Sequence, residues 1–161
     1  MVSRLFKATG LLVLLLQSAT ASEPAHSFSG MTMNGGQAIS LDEYRGKVVF
    51  LDFWASWCVP CLTSLPIYEE MRGEIGTDEF EIIAINVDEY TDDGMAFLEE
   101  HPVTYPVIAD PDGDIGIPYG IRTLPHSFLL DRDGHIVASF RSFKTGDEVR
   151  IKTAIQELLK K

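Results

Sequence analysis

Apolar residues fall along this chain in two rhythms, one continuous and one spaced by three. Lys47 to Trp54 reads K-V-V-F-L-D-F-W, an almost unbroken β-branched and aromatic run of the kind that makes a strand buried on both faces. Asp52 is the exception inside it. Phe80 to Val87 forms a second run and Tyr105 to Ala109 a shorter third. Between the first two, Cys58 to about Gly73 carries Leu62, Leu65, Tyr68 and Met71 at helical spacing, and Pro66 predicts a kink there. Thr91 to Glu100 predicts another helix, capped by Thr91.

Turn chemistry sets the two ends. Asn34-Gly35-Gly36, between Ser27–Met33 and Gln37–Ser40, predicts an N-terminal hairpin. Asp131-Arg132-Asp133-Gly134 joins Ser127–Leu130 to His135–Phe140 as a closing hairpin, and Thr145 with Glu148 predicts a capping box for a last helix. The succession is hairpin, strand-helix-strand with a parallel crossover, a further helix, then a hairpin and a helix. It describes one α/β domain with a mixed sheet flanked by helices. A chain of 161 residues with 45% hydrophobic content fits one such core and shows no internal repeat.

The first residues stand apart. Arg4 and Lys7 precede the apolar run Leu11–Leu16 and then Ala19-Thr20-Ala21, an A-x-A cleavage pattern. Residues 1–21 are therefore expected to be a signal peptide, cleaved near Ala21–Ser22, leaving a soluble domain over 22–161 in the periplasm or an equivalent extracytoplasmic space. The run is much shorter than the ~20 residues of a spanning helix, so a retained anchor is the weaker reading. Losing Arg4 and Lys7 takes the formal charge of −11 to −13. That balance disfavours nucleic acid and anionic lipid as partners and leaves cationic proteins open. With no heptad run or unpaired cysteine to announce an interface, a monomer is the default expectation.

The chemistry lies in Trp57-Cys58-Val59-Pro60-Cys61. A disulfide closing so short a loop restricts few unfolded conformations, so this pair is badly placed as a staple and well placed for redox exchange. Following a strand and opening a helix, the first sulfur meets the positive end of the helix dipole, which favours its thiolate. Cys58 is then the nucleophile and Cys61 the resolver. Zinc would need a second ligand pair, and His26, His101, His126 and His135 are scattered, so no metal is expected. Asp52, in an apolar strand, should have a raised pKa and can carry a proton for Cys61. Asp110-Pro111-Asp112-Gly113-Asp114 fails the calcium-loop pattern, with Ile121 where Glu is needed, and is read as a turn. The run Asp88, Glu89, Asp92, Asp93 is read as a solvated loop and helix start.

L-D-F-W-A-S-W-C-V-P-C resembles the active-site strand and helix of thioredoxins, including the acid six residues before the first cysteine. From about Phe28 to Leu159 the chain resembles the TlpA/ResA-type exported redoxin branch of that superfamily. The shared features are the N-terminal hairpin, the G-K-V-V-F-L-D-F-W-A strand and an inserted helix before Y-P-V-I-A-D-P. The resemblance implies a thioredoxin-like fold and a thiol-disulfide oxidoreductase that needs no cofactor. Thr123-Leu124-Pro125-His126-Ser127-Phe128 is similar to the branch's cis-proline loop, which assigns Pro125 as the cis residue and Leu124, Pro125 and His126, with Trp57, to the client groove. His126 could also hold a positive imidazole near the sulfurs. One departure is Ser64, where the branch commonly has glutamate three residues after the second cysteine; Asp52 would then take over proton transfer. The resemblance further implies a client protein with a reducible disulfide, such as an apocytochrome c or a copper-site protein, and a membrane-embedded thiol donor. Reductase is favoured over oxidase or isomerase. A thiol peroxidase would need T-x-x-C, where this chain has Ala55, and a non-catalytic client-binding module would not need both cysteines.

Overall fold

A computed structural model describes residues 22–161, so the expected signal peptide at 1–21 lies outside the described residues. Eight strands and three α-helices follow in order: β1 (Glu23–Pro24), β2 (Ser29–Met31), β3 (Ala38–Ser40), β4 (Val48–Trp54), α1 (Val59–Ile75), β5 (Phe80–Asn86), α2 (Thr91–Glu100), β6 (Val107–Ala109), β7 (His126–Leu130), β8 (His135–Arg141) and α3 (Asp147–Leu159). The main sheet has the order β1-β8-β7-β4-β5-β6. β4 runs parallel to β5 and antiparallel to β7, and β5 runs parallel to β6. This is the expected mixed sheet flanked by helices, with β2 and β3 forming the N-terminal hairpin as a separate two-stranded sheet.

Because β4 and β5 are buried along their whole length, their alternating side chains feed two cores. Val48, Phe50 and Trp54 join both cysteines, Leu65, Tyr68 and Met71 of α1, Leu98 of α2 and Ile151 and Ile155 of α3. Val49, Leu51 and Phe53 face the other way, against Phe28, Ile39 and Leu41 of the N-terminal segment and Ile115 and Tyr119 of the loop before β7. A half-buried ion pair ties α1 to β5: Arg72 Nε and Nη2 donate to Glu81 Oε1 and Oε2 at 2.6 and 3.0 Å. Such bidentate pairs fix geometry as well as adding energy.

Two predicted caps move. Thr91 is the first residue of α2, whose N-cap is Tyr90 without a side-chain bond. At α3 the N-cap is Gly146 in the left-handed region at φ 102°, a conformation that suits a residue without Cβ. There Lys144 and Gly146 donate backbone N–H groups to the Asp147 and Glu148 carboxylates at 2.9 and 2.7 Å, so acids of the first turn hold the backbone that leads into the helix, and no side chain caps its first N–H groups. The capping box that does form is Ser40 with Glu43, on the 3-10 turn Leu41–Tyr44. Pro66 sits inside α1, where its missing N–H cannot serve the Leu62 carbonyl.

Candidate active site

The end of β4 delivers the redox pair. After Trp54 the chain turns through Ala55, Ser56 and Trp57, with Cys58 N–H donating to the Ala55 carbonyl at 3.1 Å, and Cys58 becomes the N-cap of α1. The Cys61 and Leu62 N–H groups return to the Cys58 carbonyl at 2.9 and 3.2 Å. Pro60 occupies the first turn, where a missing N–H costs nothing, and that turn holds no acidic side chain to neutralise the helix dipole. Cys58 and Cys61 form a disulfide with Cα atoms 5.2 Å apart. Cys58 keeps 5% exposure and Cys61 none, so a client can reach only the first sulfur. Trp57 and Val59, at 68% and 72% exposure, stand on either side of it.

β7 runs beside this end of β4, with His126 paired to Phe53 and Ser127 to Asp52. The Leu124–Pro125 peptide at its entrance is cis, Pro125 is buried and Leu124 half-buried against both cores. The Pro125 carbonyl accepts the Ser142 N–H at 2.9 Å, which ties the loop to the end of β8.

Asp52 is completely buried on the face that carries the cysteines; its Oδ1 accepts the Ser127 hydroxyl at 2.6 Å, and its Oδ2 has no partner among the described residues. Burial pushes its pKa up from 3.8 to about 7, against the lowering effect of the Ser127 bond. Beside it, burial holds the phenols of Tyr68 and Tyr105 well above the ordinary range, with the Asp52 carboxylate adding to both shifts. Ser64 is wholly buried and donates to the Cys61 carbonyl at 3.2 Å. The place where the resembled branch commonly carries glutamate is thus a neutral contact in the core.

His126 is placed differently from the expectation of a positive imidazole at the sulfurs. Strand alternation turns its ring to the opposite face, 4.4 Å from the Phe128 ring and with Nε2 2.9 Å from Ser139 Oγ. Burial, then the Arg141 charge, lower its pKa, which disfavours the charged ring. Asp88 also departs from its reading as a solvated acid. It is 2% exposed, and its carboxylate accepts Ser56 N–H at 3.1 and 3.0 Å, Ser56 Oγ at 3.0 Å and Asn86 Nδ2 at 2.6 Å. It therefore anchors the turn that presents Cys58. In sequence only its place directly after a buried strand, two residues beyond Asn86, hinted at this.

Asp110, whose loop resembled a cation site, bonds the Ile115 and Gly116 N–H groups at 3.0 and 2.7 Å and serves the turn expected. Among the described residues, Asp131, Asp133 and His135 could surround a cation, but Asp131 Oδ1 already accepts two backbone N–H groups.

Residues 20–155 match the Redoxin family. A Bacillus thuringiensis protein named thiol-disulfide oxidoreductase ResA is 35% identical over 126 residues, covering 78% of this chain and 69% of that one. A Chlorobium tepidum structure described as a candidate DsbE thiol:disulfide interchange protein superimposes with a TM-score of 0.81 at 34% identity, over 86% of this chain and 96% of that one. The exposed lipoprotein thioredoxin of Streptococcus pneumoniae gives 0.69 at 30% identity, over 83% and 100%. With a sulfur pair at a helix N-terminus and a family match over most of its length, the chain belongs to the Redoxin family as a thiol-disulfide oxidoreductase of the ResA and DsbE type.

Proposed function

We propose that this oxidoreductase works outside the cytoplasm as a reductase of specific protein disulfides, with residues 1–21 serving as its export signal and 22–161 as the working domain. The observation that supports exchange through this pair is its asymmetry: Cys58 is reachable at the head of α1, while Cys61 is sealed on the face of a buried carboxyl with a pKa near 7.

The cycle starts from the reduced pair. The Cys58 thiolate attacks a client sulfur, the client S–S bond breaks, and the departing client thiolate takes a proton. Asp52 then accepts the Cys61 proton, and the Cys61 thiolate attacks Cys58 Sγ. The second client sulfur leaves and is protonated, two electrons have passed to the client, and the 58–61 disulfide remains. With a pKa near 7, Asp52 is ionised often enough to accept that proton and protonated often enough to return it. Trp57, Leu124 and Pro125 form the groove in which an extended client segment lies. An oxidising compartment cannot regenerate the dithiol, so a membrane-embedded thiol donor supplies the electrons. The client is a protein needing free thiols there, such as an apocytochrome c before haem attachment.

Cys61→Ser tests this, because it leaves the first step intact and blocks the second. In the native exported fraction it should accumulate a mixed disulfide with the client, whereas Cys58→Ser should trap nothing. The reduction potential of the pair fixes direction: a value near about −270 mV or lower supports a reductase, and one near about −120 mV would make the protein an oxidant.

A further inference from the structure

Asp52 and Ser127 are register partners on antiparallel β4 and β7, so their side chains emerge side by side on one face of the sheet. Both are almost sealed from solvent, at 0% and 2% exposure, and the Ser127 hydroxyl donates to Asp52 Oδ1 at 2.6 Å. A hydroxyl has one proton to give, and here it is given to one oxygen of the carboxyl group. We infer that Ser127 is a positioning residue for proton transfer: by claiming Oδ1 it fixes the plane of the Asp52 carboxyl and leaves Oδ2 as the oxygen that exchanges a proton with Cys61.

The inference rests on the proposed role of Asp52 and adds the residue that orients it. A donor aimed at a carboxylate favours its ionised form, which agrees with the lowering that Ser127 exerts against burial. The other titratable groups on this face are Cys58, Cys61 and Tyr68, at the head and on the flank of α1, and Tyr105 before β6, while Asp147 of α3 acts on Tyr68. Ala84, the partner of Asp52 on β5, is neutral. Both phenols stay protonated through the neutral range, so neither competes with Asp52 there.

Two readouts on the mature protein test it: the Asp52 carboxyl midpoint, by carbon-13 NMR of the oxidised form, and the pH profile of single-turnover oxidation of the dithiol by a disulfide peptide. Ser127→Ala should raise the NMR midpoint and the rate inflection together, by about one pH unit for a lost hydrogen bond to a charged group. The isosteric pair Ser127→Thr and Ser127→Val gives a second comparison, in which Thr keeps the native values and Val shifts them. An unmoved NMR midpoint in folded Ala or Val variants overturns the inference. If Asp52→Asn abolishes the rate inflection while Ser127→Ala and Ser127→Val leave it in place, the role of Asp52 survives and that of Ser127 fails. If Asp52→Asn itself leaves the inflection unchanged, the proposed proton route is wrong, and the inference falls with it.

Discussion

At the scale of single residues, the proposed proton route runs through a carboxyl group that the fold would rather keep neutral. The folded pKa of Asp52 is about 7 against an ordinary 3.8, so its neutral form contributes stability that is complete below the ordinary value and is lost as pH rises through about 7. That difference is worth on the order of 4 kcal/mol. Asp52→Asn should therefore unfold at higher urea than the parent at pH 8 and lose this advantage at pH 4; equal pH dependence of the two midpoints would show that Asp52 does not titrate in this range. How much was legible varied with the kind of signal. Cys58, Cys61 and Asp52 stood out because a short cysteine loop and an acid in an apolar strand are local anomalies. Asp88 and Ser127 did not, because a carboxylate bonded to the Ser56 turn and a hydroxyl paired with Asp52 are relations between residues 32 and 75 positions apart in the chain. His126 carried a plausible charge in sequence, but period-two alternation from Ser127 places its ring on the far side of the sheet.

At the scale of elements, strands were easier to read than helix ends. A continuous apolar run leaves β4 no choice but the middle of the sheet, whereas caps depend on a few backbone angles, and Gly146 in the left-handed region competes successfully with Thr145. The packing of α2 on β5 shows how an element's own preference can be overruled. Gly94 lies inside α2, where replacement by alanine ordinarily gains about 1 kcal/mol of helix propensity. A Cβ there would meet the Asn86 side chain at 2.7–2.8 Å, and Asn86 Nδ2 is the group that steadies Asp88 at 2.6 Å. Overpacking costs about 1–3 kcal/mol, so Gly94→Ala should lower the urea midpoint and, by disturbing Asp88 and through it Ser56, slow exchange at Cys58. A rise in stability with an unchanged exchange rate would show that the Asn86–Asp88 link is not what holds the turn.

At the scale of the whole molecule, the net negative charge should speed encounter with cationic clients. Outside residues 1–21 the chain keeps every acidic residue and loses only Arg4 and Lys7 of the basic ones, which leaves a formal charge of −13. Part of it follows the residue that anchors the redox turn: Asp88 binds Ser56, and the exposed Glu89, Asp92 and Asp93 come within the next five positions of the chain. Exposed charges of one sign raise the encounter rate of an oppositely charged partner by about 10- to 1,000-fold at low ionic strength. Salt removes the effect as the screening length falls from about 30 Å at 0.01 M to about 3 Å at 1 M. Two model peptides with the same disulfide, one flanked by lysines and one by glutamates, separate this steering from chemistry. The lysine peptide should react at least about tenfold faster at 0.01 M salt, and the two rates should converge near 1 M. Replacing Glu89, Asp92 and Asp93 by their amides should close part of the low-salt gap and leave the 1 M rates unchanged, because none of the three touches the sulfurs. Equal rates for both peptides at low salt would mean that the acidic surface faces away from the approach to Cys58, and that client choice rests on contacts such as those proposed at Trp57, Leu124 and Pro125.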